Sequence, residues 1–225
     1  SDGTRRGPLA LSLNFMKAIQ AHFKTLGRNP TDIELESLAQ TWSEHCKHTI
    51  FASPFDEYPE GLYKTFIQKA THEIEKEKGD RDFCVSVFKD NSGVIVFDDN
   101  WLITDKAETH NSPSALDPFG GAITGIVGVN RDTIGCGLGA KPIINSFGYC
   151  FAPPDDTEPL YRDKALTNPL LGPRTILEGV ISGVRAGGNC SGIPTTHGFT
   201  LFDHRYKGKP LVFVRTVGLL PRTSA

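Results

Sequence analysis

The sequence predicts an α/β protein in which a small helical region precedes one mixed-sheet domain with helices on one face. Near the N-terminus, apolar residues recur every three or four positions, as they do on amphipathic helices. Further along the chain, strand-like apolar runs interleave with helical segments. Because this interleaving lacks the strict strand-helix-strand repeat of a doubly wound fold, a mixed sheet is favoured.

The composition is that of an ordinary soluble globular protein. The 225 residues are 38% hydrophobic and 22% charged, with a net charge of −2. This charge offers no general attraction to nucleic acid or to an anionic membrane, and no apolar run is long enough to span a bilayer. Five cysteines without a CxxC spacing indicate reduced thiols rather than a disulfide framework or a four-thiolate zinc site. We therefore expect a cytoplasmic protein without nucleic-acid or membrane partners.

Residues 1–60 are expected to form a lead-in and a helical linker region. A first helix is predicted over residues 14–26, because its apolar residues lie three or four apart and Gly27 follows as a stop signal. A second helix is predicted after Pro30, where Thr31 and Glu34 have the spacing of a capping box.

The second helix runs into the segment Trp42-Ser43-Glu44-His45-Cys46-Lys47-His48. An imidazole at a helix end can serve as acid, base or phosphate contact, because its pKa lies close to cellular pH. Such a histidine also commonly does no more than offset the helix dipole. A zinc site through His45, Cys46 and His48 fits poorly, since the spacing is tight and no second Cys/His pair follows.

Residues 61–225 are expected to form the mixed-sheet domain. The predicted elements, in chain order, are a helix over 61–78, a hairpin with strands over 83–88 and 94–97, a strand over 101–106, a helix around 122–129, a strand over 143–152, a loop over 153–173, a helix over 175–184 and a strand over 211–217. The polar, proline-rich composition of the loop suggests mobility.

A polar cluster follows the strand predicted at residues 101–106. If the backbone stays extended, Lys106, Glu108 and His110 share one face, which then offers a phosphate contact, a metal ligand and a general base. The next segment carries four glycines, which would let backbone N–H groups approach an anionic ligand: Gly120, Gly121, Gly125 and Gly128. The same residues also fit a solvated polar face followed by turns, and their spacing matches neither a P-loop nor a dinucleotide fingerprint.

The stretch KAETHNSPS, followed by GGAITG and Arg131-Asp132, resembles the nucleotide-site motif of the formylglycinamide ribonucleotide amidotransferases. That motif reads Lys-x-Glu-Thr-His-Asn-His-Pro-Ser, Gly-Ala-Ala-Thr-Gly and Arg-Asp. The Ser-Glu-His-Cys segment resembles the motif that ends the family's helical linker. Residues 189–199 resemble its Gly-Asn-x-x-Gly-Ile-Pro-Thr-x-Gly-Gly block, with His197 in place of a small residue. The resemblance extends from about residue 13 to residue 221. It implies a domain of the aminoimidazole ribonucleotide synthetase N-terminal type, which pairs through its sheet and makes a homodimer plausible.

The resemblance also implies an activity. The family converts formylglycinamide ribonucleotide to formylglycinamidine ribonucleotide in de novo purine biosynthesis, using ATP, Mg²⁺ and glutamine-derived ammonia. Its implied partners are the remaining synthetase domains and a glutaminase domain or subunit. Carried over residue by residue, it implies catalytic roles for His45 and His110, ATP contacts at His48 and Lys106, substrate contacts at Thr109, His110, Asn111, Ser112 and Arg131, and magnesium ligands at Glu108 and Asp132.

Two positions depart from the family's pattern. His48 stands where the family often has an ATP-contacting Tyr, and Ser112 stands where it ordinarily has a second His. A hydroxyl does not titrate near neutrality, so proton transfer by Ser112 is not expected, whereas His110 keeps the proton-acceptor position. A lesion that disables the site is the competing explanation for Ser112.

Other function classes remain open. The chain could be a nucleotide-binding or assembly module without turnover, or another ATP-dependent enzyme of the superfamily, such as a small-molecule kinase; the His-containing linker motif favours the amidotransferase. We expect the chain to be a fragment that is inactive alone, because it carries no glutaminase signature and one synthetase-type domain only. We also expect Glu108 and Asp132 to approach each other, the alternative being a local pair between Asp132 and Arg131.

Overall fold

The computed structural model describes residue 9 and residues 11–42 and 49–224. The chain divides into two compact units, Ser1–Glu77 and Lys78–Ala225. The domain boundary expected between residues 60 and 61 stays a prediction.

The first unit is helical over its described residues. Its elements are α1 (Leu13–Thr25), α2 (Asp32–Trp42), the short α3 (Thr49–Ala52), and a π-helical turn (Tyr63–Gln68) that continues into α4 (Lys69–Lys78). The predicted first and second helices are thus confirmed. The third is helical over the expected range, but its first part is π-helical rather than α-helical.

The capping box predicted for α2 is present. The Thr31 backbone N–H donates to Glu34 Oε2 at 2.8 Å, and the Glu34 backbone N–H donates to Thr31 Oγ1 at 3.2 Å. The Arg28 guanidinium also donates to the Glu34 carboxylate, and these hydrogen bonds lower the pKa of Glu34 to about 2. Glu34 therefore remains ionised and fixes the start of α2 across the neutral range.

The second unit is a mixed sheet with three α-helices among its described residues after Lys78, besides short 3-10 turns. In chain order its elements are β1 (Cys84–Ser86), β2 (Gly93–Val96), β3 (Trp101–Thr109), α5 (Asn111–Leu116), α6 (Pro118–Ile134), β4 (Lys141–Phe151), α7 (Pro173–Ser191), β5 (Thr195–Phe202) and β6 (Leu211–Pro221). The strand order is β1-β2-β3-β6-β4-β5. Strands β4 and β5 are parallel and the other pairs are antiparallel, which confirms the mixed sheet.

The core lies between the sheet and helices α6 and α7. Burial alternates along the central strand β6, where Val212 and Val214 are fully buried and face the helices. Val212 packs with Ala122 of α6 and Val180 of α7. The strand predicted over residues 211–217 is thus confirmed, and so is the prediction that helices cover one face of the sheet.

Several elements differ from the predicted bounds. Helix α6 spans residues 118–134 rather than 122–129, because Asp117 caps its first turn by accepting a hydrogen bond from the Gly120 N–H at 3.1 Å. Helix α7 continues to Ser191, where Gly192 ends it with a φ of +67°. Strand β5 was not predicted: all its residues are exposed, so burial leaves no period in the sequence.

The connection between β4 and α7 contains no helix or strand, as predicted for residues 153–173. It is fastened to the β5–β6 connection through Asp156, whose carboxylate accepts from Lys207 Nζ at 2.7 Å and pairs with His204 Nδ1 at 3.1 Å. The Lys207 ammonium is the main cause of the lowered pKa of Asp156. The mobility suggested for this loop stays a prediction.

Within the described residues, none of the helices combines the length and the apolar character that a bilayer-spanning segment requires. Cys136, Cys150 and Cys190 are free thiols, and the first two are buried.

Candidate functional site

Strand β3 carries polar side chains on the helix-covered face of the sheet. Leu102 and Thr104 are buried on this face, and the next alternate positions are Lys106, Glu108 and His110. Lys106 Nζ lies 3.1 Å from Glu108 Oε1, and Glu108 Oε2 lies 3.2 Å from His110 Nε2. The structure therefore places the three side chains side by side, as the alternation predicts.

Helix α6 adds a second carboxylate to this row. Asp132 Oδ2 lies 2.9 Å from Lys106 Nζ, so the ammonium sits between the carboxylates of Glu108 and Asp132. The expected approach of the two carboxylates is confirmed, because both contact the Lys106 ammonium. We call these four residues the β3–α6 cluster: Lys106, Glu108, His110 and Asp132.

Gly125 allows α6 to lie close to His110 at the end of β3. A Cβ at Gly125 would lie 3.0 Å from two atoms of the His110 ring, whereas a Cβ at Gly128 would lie at an ordinary contact distance of 3.6 Å from Glu108 Oε2. The glycine-rich segment had been expected to expose its backbone N–H groups to an anionic ligand. It is helical instead, so most of these N–H groups are used within α6, and the glycines serve close packing.

The charges of the cluster reinforce one another. Burial lowers the pKa of Lys106, but the carboxylates of Asp132 and Glu108 outweigh burial, so that the pKa is raised. For Glu108, burial raises the pKa, and the hydrogen bonds with His110 and Lys106 outweigh it, so that the pKa is lowered. Lysine and glutamate are therefore both ionised at neutral pH.

The carboxylates fit a magnesium ion by their chemistry. Mg²⁺ prefers oxygen ligands and is commonly held by one or two carboxylates together with substrate phosphates. Glu108 and Asp132 are both partly buried and converge on one cationic group, the Lys106 ammonium. This donor set is of the kind that a divalent cation requires.

Glu108 also determines the tautomer of His110. An ionised carboxylate only accepts hydrogen bonds, so Nε2 of His110 carries the hydrogen in the contact with Glu108. The lone pair then belongs to Nδ1, which is buried and has no hydrogen-bond partner within the described part of the chain. In this tautomer Nδ1 is the ring nitrogen that carries no hydrogen.

The remaining predicted residues flank the cluster. Asn111 Oδ1 accepts from the Val212 N–H at 2.8 Å, which ties the start of α5 to β6. Thr109 and Ser112 are exposed, and Arg131 is exposed next to Asp132 on α6. His45 and His48 lie outside the described residues.

Three buried polar residues beside the cluster could not be identified from the motifs of the sequence. The side-chain oxygen of Asn130 accepts from Thr216 Oγ1 at 2.7 Å and from Asn145 Nδ2 at 2.9 Å, and Asn145 Nδ2 also donates to Thr216 Oγ1 at 2.7 Å. We call this set the buried triangle. The available signal was the amide of Asn145 within an apolar strand, because a buried amide requires partners.

The stability conferred by Glu108 is expected to depend on pH. Its folded pKa is lowered, so the stabilisation is present above its ordinary pKa of about 4.3 and disappears as the pH falls through the folded pKa. Urea unfolding of the native chain and the Glu108→Gln variant should show a difference at pH 7 that shrinks in acid. Glu178→Gln, which removes an exposed partner of Arg174 on α7, is the control and should have little effect at either pH. A Glu108 difference that persists unchanged at pH 2 would contradict the assignment.

Two family models match the chain. Residues 89–220 match the family described as AIR synthase related protein, N-terminal domain. Residues 2–48 match the formylglycinamide ribonucleotide amidotransferase linker domain. The first match contains the whole β3–α6 cluster, and the second contains both His45 and His48.

Relatives and solved structures agree with these matches. The phosphoribosylformylglycinamidine synthase subunit PurL of Thermoplasma acidophilum is 36% identical over 221 residues, covering 97% of this chain and 25% of the relative. PurL of Thermotoga maritima complexed with ADP has a TM-score of 0.57 and 26% identity, covering 91% of this chain and 27% of that one. Its complex with FGAR has a TM-score of 0.55 and 26% identity, with coverages of 92% and 26%.

The chain spans about a quarter of the length of the curated relatives that it matches. The resemblance drawn from the sequence motifs is confirmed over nearly the whole chain. The family models and the mixed sheet point to the same assignment. The chain therefore belongs to the family of AIR synthase related proteins, whose N-terminal domain it carries behind a segment of the FGAR amidotransferase linker type.

Proposed function

We propose that this chain provides the linker and the first ATP- and substrate-binding domain of an ATP-dependent C–N ligase of de novo purine biosynthesis. The enzyme converts formylglycinamide ribonucleotide to formylglycinamidine ribonucleotide with glutamine-derived ammonia. The observation that carries the proposal is the β3–α6 cluster, in which two carboxylates, an ammonium and an imidazole meet on one face of the sheet. The relatives named phosphoribosylformylglycinamidine synthase support the choice of reaction.

In the proposed reaction, the amide oxygen of the substrate attacks the γ-phosphorus of ATP and releases ADP. The amide nitrogen loses its proton as the imidate forms, and His110, whose ring is held by Glu108, is assigned to accept this proton. Ammonia then attacks the carbon, and the phosphate leaves with one of the ammonia protons to give the amidine. His45 is assigned a further catalytic role through the linker motif.

The flanking residues are assigned to binding. Lys106 contacts the ATP phosphates, and His48 is assigned to ATP as well. Arg131 can hold the substrate phosphate bidentately, which a lysine cannot do. Thr109, Asn111 and Ser112 complete the substrate contacts in this proposal.

Magnesium would be held by Glu108 and Asp132. When bound, the ion neutralises charge on the phosphate oxygens during transfer. The converging carboxylates of the β3–α6 cluster support this role.

The proposal includes partners and a location. The active enzyme contains the remaining synthetase domains and a glutaminase domain or subunit, and it resides in the cytoplasm. A homodimer formed through the sheet stays a prediction. The sheet face opposite the helices supports it, because Phe199 and Leu201 are exposed on β5.

The direct test uses the full-length protein that contains this chain. It is incubated with formylglycinamide ribonucleotide, ATP, magnesium and either glutamine or ammonium, and the amidine and phosphate are measured. Equal amounts of both products are expected. ATP binding without either product would favour a non-catalytic module, and phosphorylation of a small molecule without ammonia would favour a kinase of the same superfamily.

Ser112→His is expected to change the substrate KM more than kcat in the full-length protein. Ser112 is exposed at the start of α5, and the proton acceptor His110 is already present, so the new imidazole adds a contact rather than a proton path. The measurement is steady-state kinetics with formylglycinamide ribonucleotide as the varied substrate. An increase in kcat by orders of magnitude at nearly constant KM would instead identify Ser112 as a lesion in the chemical machinery.

A further inference from the structure

The buried triangle lies in the same row of the sheet as the β3–α6 cluster. Thr216 of β6 is directly paired with Lys106 of β3 on one side and with Asn145 of β4 on the other. Thr216 and Asn145 are fully buried, and Asn130 is 8% exposed. One row of three strands therefore carries both the lysine that meets Asp132 and the two groups that meet Asn130.

Helix α6 contacts this row on both of its flanks. Residues two apart on a helix point in nearly opposite directions around the axis, because each residue turns the helix by about 100°. Asp132 reaches Lys106 on β3, whereas Asn130 reaches Thr216 and Asn145 on β6 and β4. Contacts on opposite flanks resist rotation of the helix about its own axis.

We infer that Asn130 and Thr216 are positioning residues that hold the last turn of α6 so that the Asp132 carboxylate stays beside Lys106. The triangle is suited to this task because its polar atoms are shielded from water. A buried polar atom that loses its hydrogen-bond partner destabilises the folded protein more than an exposed one does. The contact between Lys106 and Asp132 is partly exposed and is weaker by itself. The consequence for magnesium rests on the proposed function, since it requires Asp132 to be a ligand.

The test compares two replacements of Thr216. Thr216→Val keeps the shape of the side chain and removes the hydroxyl that donates to Asn130, whereas Thr216→Ser keeps the hydroxyl. Thr133→Val is the matched control, because Thr133 is also fully buried on α6 and its hydroxyl has no hydrogen-bond partner among the described residues.

The first readout does not depend on the reaction. In the native background and in each variant, a double-mutant cycle with Lys106→Met and Asp132→Asn measures the coupling energy between Lys106 and Asp132. Unfolding by urea is followed through Trp101 fluorescence, and Trp42→Phe removes the other tryptophan of the chain. We expect a coupling of about fivefold in the unfolding equilibrium constant for the native background. The coupling should persist in the Thr216→Ser and Thr133→Val backgrounds. In the Thr216→Val background it should fall to about onefold, which means no coupling.

The second readout is the magnesium dependence of the full-length protein. Replacing groups that orient metal ligands typically weakens metal affinity by about 10–100-fold, so Thr216→Val should raise the half-saturating magnesium concentration by at least about tenfold. Thr216→Ser should restore it. A coupling between Lys106 and Asp132 that survives Thr216→Val overturns the inference. If Thr216→Val abolishes the coupling but leaves the magnesium dependence unchanged, the positioning role is supported and Asp132 is refuted as a magnesium ligand.

Discussion

Glu108→Gln in the full-length protein is expected to lower kcat/KM for amidine formation by about 10²–10³-fold, the range seen when one charge-stabilising group is removed from an active site. Glutamine keeps the length of the side chain but loses the negative charge that Lys106 and His110 both contact. It also offers an amide N–H₂ to His110, so the tautomer is no longer set by an acceptor alone. The measurement is amidine production at saturating magnesium and at several concentrations of formylglycinamide ribonucleotide.

Asp105→Asn is the matched control. Asp105 lies on β3 two residues before Ala107, and its side chain points away from the β3–α6 cluster to the other face of the sheet. There its carboxylate accepts a hydrogen bond from Arg215 Nε at 2.9 Å. This variant loses a carboxylate from the same strand without touching the β3–α6 cluster. Its kcat/KM should stay within a few-fold of the native value. Equal losses in both variants would mean that the strand, rather than the charge of Glu108, is responsible.

Gly125→Ala is expected to disturb both stability and activity. Alanine is favoured over glycine within a helix by about 1 kcal/mol, so propensity alone predicts stabilisation. Here the added Cβ meets the His110 ring at 3.0 Å and a Val214 methyl at 3.3 Å. We expect a net loss of about 1–3 kcal/mol from overpacking. Displacement of His110 should lower kcat/KM by about 10²-fold, as small misplacements of catalytic groups can do.

Gly188→Ala separates propensity from packing. Gly188 lies within α7, and a Cβ there would have no atom within 4 Å. This variant should be as stable as the native protein or more stable by up to about 1 kcal/mol. The measurement for both variants is the urea midpoint and slope, compared with kcat/KM. A Gly125→Ala protein that gains stability like Gly188→Ala would show that α6 and His110 are not in close contact.

The fold was predictable where burial imposes a period on the sequence. The alternation of buried and partly exposed residues around Val212 and Val214 predicts a strand with one buried face. The start of α2 was predictable from a local signal, the capping-box spacing of Thr31 and Glu34. Strand β5 gave no such signal, because it is exposed along its whole length and is held by backbone pairing with β4. Because backbone hydrogen bonds between strands depend little on the side chains, this pairing is difficult to predict from the sequence.

Residue spacing made the candidate site predictable along β3, and the family resemblance added Asp132 of α6. The alternation of Lys106, Glu108 and His110 follows directly from extended backbone, and the structure shows these contacts. What α6 does could not be predicted in the same way. Its glycines remove the apolar side chains that would reveal a helical face, and the contact of Asn130 with Asn145 and Thr216 joins segments far apart in the chain. The spacing of residues in the sequence does not predict contacts between such distant segments.

The position of β6 has a consequence for the order of assembly. The residues of the β3–α6 cluster lie within a short stretch of chain, yet β6, which follows the other five strands along the chain, lies between β3 and β4. The Val212 backbone exchanges hydrogen bonds with His110 and Asn111 across about a hundred residues. Pairings between such distant segments form slowly, because a long loop must close first. A nascent chain that has not yet released β6 from the ribosome therefore holds two separate pieces of sheet, and the candidate site reaches its final geometry only when residues 211–221 insert between them.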